Sequence, residues 1–145
     1  SGRPLCRATV DAALLEQLHW VAEQTLSRLD AKRRRELWID AKWLGCAGAQ
    51  IAPAAGTRLA LYRAVAERHA GRMLELGLAA LAGNPAGEPA WQRFALNAAM
   101  LGAHAEGKQA EAHGLWDKYG PTLYPGAVHK PAYVSYLARW IPSAR

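Results

Sequence analysis

Apolar side chains in this chain recur every three to four residues, and nowhere do they alternate convincingly with a period of two. That spacing places them along one face of an α-helix rather than on one face of a strand. From Val10 the run Leu14, Leu15, Leu18, Val21, Ala22, Leu26 and Leu29 forms one such stripe, predicting a helix over about 10–29 with Thr9 or Asp11 as its cap. A second helix starts at Asp30-Ala31, carries Leu37, Ala41, Leu44 and Gly48 on one face, and ends before Pro53. The segment Pro53–Gly56 reads as a breaker. Thr57 then caps a third helix, in which Leu59, Tyr62, Val65, Ala66, His69, Met73, Leu76 and Ala80 repeat as far as Gly83.

The stretch 83–89, Gly-Asn-Pro-Ala-Gly-Glu-Pro, is the strongest breaker in the chain and the natural place for a boundary between two halves. Pro89 suits the first turn of a fourth helix, whose inner stripe is Trp91, Phe94, Ala95, Ala98, Leu101 and Ala105. Gly107 closes that helix in the left-handed conformation. A fifth follows with Ala112, Leu115, Trp116 and Tyr119 on one side; 120–130 is rich in Pro and Gly and reads as irregular; a short last helix covers about 131–140. Short connections imply antiparallel neighbours. The expected fold is all-α: about six helices packed as antiparallel hairpins, a bundle or a short repeat-like array, in one domain over 1–145 with a sub-boundary at 83–89.

Leu101-Gly102, the turn at Gly107, and then Ala112 and Trp116 combine small residues with a large one on the following helix. Small residues let two antiparallel helices approach closely, and the large one fills the gap. Over residues 91–124 this resembles a degenerate tetratricopeptide-like helical hairpin, although aligning Gly107 and Ala112 puts Leu101-Gly102 out of register and no second copy follows at the repeat's period. The resemblance implies a scaffold that binds peptides or partner proteins on a concave face.

Lys and Arg number 18 against 12 Asp and Glu, a formal charge of +6 that favours acidic partners. The one dense cationic run is Lys32, Arg33, Arg34 and Arg35, near the start of the second helix, where the helix dipole disfavours positive charge by a few tenths of a kcal/mol per residue at about the lower end of the usual range. Lys42 continues it, and Trp38 and Trp43 lie close by. A basic patch beside aromatic rings suits nucleic acid or an acidic glycan. Against this, the run wraps around the helix, and Glu36 and Asp40 neutralise part of it.

Cys6 and Cys46 accompany no CxxC and no zinc-ligand pattern, so they read either as two buried thiols or as one disulfide. If the first two helices form a hairpin, the arm carrying Cys6 reaches Cys46 only by folding back along it. A bridge would place the protein outside the reducing cytosol, and an extracytoplasmic, periplasmic address is slightly favoured over a cytoplasmic one. The chain opens at Ser1-Gly2 without Met or a signal peptide, which reads as a processed chain or the soluble part of a larger assembly. No apolar run approaches the roughly 18 residues needed to cross a bilayer.

No residue pattern announces catalysis. The five histidines supply no HExxH and no pair at four-residue spacing; His19 and His69 fall on apolar stripes, and His104 and His113 lie nine apart on separate helices. An all-helical chain of this length makes His69 and His104 a haem-like pair, but nothing else in the sequence supports haem. No phosphate-binding glycine loop and no nucleophile elbow appears. The sequence therefore predicts no enzyme, no metal and no cofactor. It predicts a helical protein–protein interaction module whose partner-binding residues are Trp116, Tyr119, Tyr124 and Tyr133, crowded around the 120–130 loop. The alternative is a small basic nucleic-acid-binding protein using Lys32, Arg33, Arg34, Arg35 and Lys42.

Overall fold

A computed structural model describes residues 12–29, 53–83, 88–127, 134 and 138–141. Every regular element among them is helical: five α-helices and one 3-10 turn, with no strand. In chain order these are α1 (Ala12–Ser27), α2 (Pro53–Glu67), α3 (Ala70–Gly83), α4 (Pro89–Ala105), α5 (Gln109–Leu123) and the 3-10 turn Ala138–Trp140. The all-α expectation holds, with five described α-helices where about six were expected. The helix expected over 30–52 lies outside the described residues, as does most of 131–140. The chain divides into two compact units, Ser1–Glu67 and Arg68–Arg145.

In the first unit α1 packs on α2. Leu18, Ala22 and Leu26 are buried on α1 and Leu29 in the turn after it, the stripe expected from their spacing. Facing residues on α2 include Leu59, Tyr62 and Val65, joined by Leu61 and Ala64, so the buried face of α2 is broader than the stripe predicted. Pro53 starts α2 rather than breaking the chain. The first helical position needs no backbone N–H, and the proline ring presets the required φ.

The long helix expected over 57–83 is two helices. Arg68 takes φ +52°, the left-handed conformation that ends a helix. His69 then caps the next one: its Nδ1 accepts from the Arg72 N–H at 3.2 Å, and its carbonyl accepts from the Met73 N–H at 2.9 Å. An imidazole here does what Ser or Asp does at most N-caps. No Gly or Pro marks this break, so apolar periodicity reads straight through it.

In the second unit α4 packs extensively on both α3 and α5 and also touches the 3-10 turn. Every residue from Phe94 to Ala103 is buried, so α4 is covered on all sides rather than along a stripe. Its contact with α3 is close enough to exclude a methyl group. A β-carbon on Gly77 would meet the Ala95 carbonyl oxygen and the Ala99 β-carbon at 2.8 Å each; one on Gly102 would meet the Ala70 carbonyl oxygen at 2.5 Å. Gly102 therefore serves the contact with the preceding helix, α3, not a close approach to α5. The Gln92 Nε2 donates to the Ala80 carbonyl at 3.3 Å, satisfying one of the carbonyls that α3 leaves without a partner at its C-terminus.

Pro89 occupies the first turn of α4, as expected. The helix ends on Gly107 at φ +77°; the Gly107 N–H reaches the His104 carbonyl and the Lys108 N–H reaches the Ala103 carbonyl. These are the paired bonds of a Schellman motif. They turn the chain sharply into α5 and fix which side chains of the two helices meet.

Candidate functional site

The α4–α5 turn brings together residues far apart in sequence. His104, in the last turn of α4, and His113, one turn into α5, face each other with ring centroids 6.1 Å apart and planes at 78°. They line a solvent-open cavity of about 780 Å³ together with Ala105, Gln109, Ala138, Arg139 and Ile141. Two imidazoles, a carboxamide and a guanidinium supply polar donors, while Ala138 and Ile141, both buried, give apolar footing. Among the described residues the lining contains no carboxylate. The C-terminus of α4 and the N-terminus of α5 meet at this turn, so their dipoles oppose one another and the side chains set the sign of the local field.

The aromatic residues expected to bind a partner are placed differently. Trp116 is buried at 6% exposure, and its ring lies against Gly120, where a β-carbon would come within 2.6 Å of the indole. Tyr124 is half-buried, 5.6 Å from the Trp116 ring, and its hydroxyl accepts from the Nδ2 of buried Asn97 at 2.9 Å. These two rings pack into the protein's own core. Tyr119 is half-buried with the Lys118 ammonium 5.2 Å from its ring. Tyr133 lies outside the described residues. So do Lys32, Arg33, Arg34, Arg35 and Lys42, and so do Cys6 and Cys46.

The segment 120–130 is less irregular than its composition implies. α5 continues through Gly120 and Pro121 to Leu123. Proline is tolerated in this last turn because the residue before it is a glycine, whose missing side chain also leaves room for Trp116. The chain then turns through Pro125 and Gly126, with Gly126 at φ +84° and the Ala127 N–H on the Tyr124 carbonyl. Proline followed by a left-handed glycine is the order a type II turn requires.

A second constellation, in the first unit, was not anticipated. Glu23 Oε1 lies 2.6 Å from His19 Nε2, and His19 Nδ1 lies 2.8 Å from the Tyr62 hydroxyl. His19 and Glu23 are four residues apart on α1, a spacing that identifies neighbours on a helix surface and so could have revealed the pair. In the tautomer whose Nε2–H donates to the carboxylate, Nδ1 accepts from the phenol. This carboxylate–histidine–hydroxyl chain does not activate a nucleophile. Tyr62 is fully buried, and burial pushes its ionisation well above the ordinary phenol range despite the opposing charge of Arg58. The hydroxyl stays protonated and fastens α1 to α2.

His69, paired with His104 in the haem-like reading, is occupied as the cap of α3. Among the described residues no group of three or more His, Cys, Asp or Glu is placed to hold a metal ion, and no helix is long and apolar enough to cross a membrane. Comparison with protein-family models, curated proteins and solved structures finds no match to this chain.

Proposed function

We propose that this chain is a helical interaction module that binds a segment of a partner protein in the cavity at the α4–α5 turn. The observation that carries this reading is the cavity itself, built on helices rigidly joined by a Schellman turn and opening to solvent beside an apolar floor. At about 780 Å³ it has the dimensions of a ligand site, roughly 300–1,000 Å³ in proteins generally. Its convergent donors come from three elements held by one core. That suits recognition of a bound group, which needs fixed polar partners more than it needs a reactive side chain.

The binding surface thus sits on the same hairpin as Trp116, Tyr119 and Tyr124, but at its turn. In this reading Trp116 and Tyr124 support the hairpin from within, and Tyr119 is the ring of the three still open to a partner along α5.

Selecting displayed random peptides against the full chain tests the proposal. Enriched clones should bind the native protein and lose binding to Gln109→Trp, which fills the cavity from an exposed helix position. Failure to enrich clones, or clones indifferent to that substitution, would contradict it. The net charge of +6 favours a second reading, nucleic-acid binding through Lys32, Arg33, Arg34, Arg35 and Lys42. Its mark is a gel shift that weakens steeply with salt as counterions are displaced.

A further inference from the structure

We infer that the cavity at the α4–α5 turn recognises an acidic segment of its partner, with carboxylates seated between His104, His113 and Arg139; this rests on the binding-module reading and specifies its ligand.

The argument is one of charge and donor geometry. Arg139 supplies a permanent cation with a donor fork that matches a carboxylate. His104 and His113 approach from two helices with ring centroids 6.1 Å apart, and both line the same cavity as Arg139. Gln109 adds a neutral donor, and the described lining offers nothing acidic in opposition. The nearest charged neighbours along the chain, Glu106, Lys108, Glu111 and Asp117, lie outside that described lining. A metal ion is disfavoured in the same place, because the guanidinium repels a cation and only two of the lining side chains are good ligands. Ala138 and Ile141 provide apolar contact for the stems of acidic side chains, which favours a peptide over a bare anion.

The test is fluorescence anisotropy of a labelled peptide containing four glutamates, against its twin with four glutamines, titrated with the full chain at low salt. The glutamate peptide is expected to bind about tenfold tighter than its twin. Arg139→Gln should remove most of that preference, and His104→Ala with His113→Ala should weaken what remains. Both sets of positions are exposed or half-buried, so circular dichroism should show the fold retained. Equal binding of the twins, no binding of either, or a preference untouched by Arg139→Gln would overturn the inference. So would displacement by free glutamate or by a short oligonucleotide at lower concentration than the peptide itself. The display selection separates this failure from that of the wider reading: enriched clones without acidic residues that still need the open cavity would leave the module standing and remove its acidic ligand.

Discussion

Gly102 on α4 lies directly against Ala70 on α3: a β-carbon at Gly102 would stand 2.5 Å from the Ala70 carbonyl oxygen and 2.9 Å from the Leu74 nitrogen. Both are backbone atoms, so no side chain can rotate to make room. Gly102→Ala must push the two helices apart, at a cost of about 2 kcal/mol or more. Gly77→Ala should behave alike. Gly114→Ala is the control of opposite sign, since Gly114 has open space around its α-carbon within α5, and alanine there should stabilise by about 0.8 kcal/mol. Urea denaturation of the three variants checks both directions. Equal effects at Gly102 and Gly114 would mean α3 and α4 are not this close.

Buried Trp116 and Asn97 form a cluster with half-buried Tyr124, and its removal should register as lost stability. Trp116→Ala should cost about 3–5 kcal/mol. Tyr124→Phe removes the partner of the Asn97 amide, whose Oδ1 already lacks a hydrogen bond among the described residues, and should cost about 1–3 kcal/mol. Adding Asn97→Leu to Tyr124→Phe should recover part of that loss, because no polar group is then left buried without a partner. Chemical denaturation in a double-mutant cycle measures the coupling; strictly additive losses would contradict the hydrogen bond.

Tyr62 makes stability fall in alkali. Burial raises its ionisation above the value near 10 of an exposed phenol. Below pH 10 both folded and unfolded chains hold the proton, so the difference contributes nothing to the pH dependence. Above it the unfolded chain releases the proton first, and folding weakens by up to about 1.4 kcal/mol per pH unit until the folded phenol also ionises. Tyr62→Phe removes this dependence while losing the bond to His19. Stabilities measured at pH 9 and pH 11 should therefore diverge less in the variant than in the native chain; identical slopes would contradict a buried phenol.

The end of α2 and the start of α3 show what periodicity hides. Leu59, Tyr62, Val65, Met73 and Ala80 keep helical spacing across Arg68 and His69, and neither residue is a conventional breaker. The break depends on a left-handed arginine and an imidazole cap, which are legible only once backbone and side chain are seen together. The ends of α4 were legible because Pro89 and Gly107 are chemically committed to those positions. The cavity was not legible: His104 and His113 lie nine apart on separate helices, their meeting depends on the register set by the Schellman turn, and Arg139 arrives from a segment no local spacing connects to them. Trp116 packs inward, and composition does not distinguish a ring pinned inward from one presented outward.

The cap itself is testable. His69→Ala should cost about 0.5–1 kcal/mol, the usual effect of removing an N-cap acceptor, and His69→Asn should restore most of it. Thermal denaturation at pH 8 compares the three. A wild-type melting temperature for His69→Ala would show that the imidazole does not cap α3.

The most direct test of the cavity as the binding surface is the imidazole nitrogen spectrum of the full chain, recorded by NMR while the acidic peptide is added. His104 and His113 should shift together and saturate at one peptide per chain, while His19 and His69, engaged with Tyr62, Glu23 and the Arg72 N–H, should stay where they are. Peptide binding that leaves His104 and His113 unmoved would contradict the account.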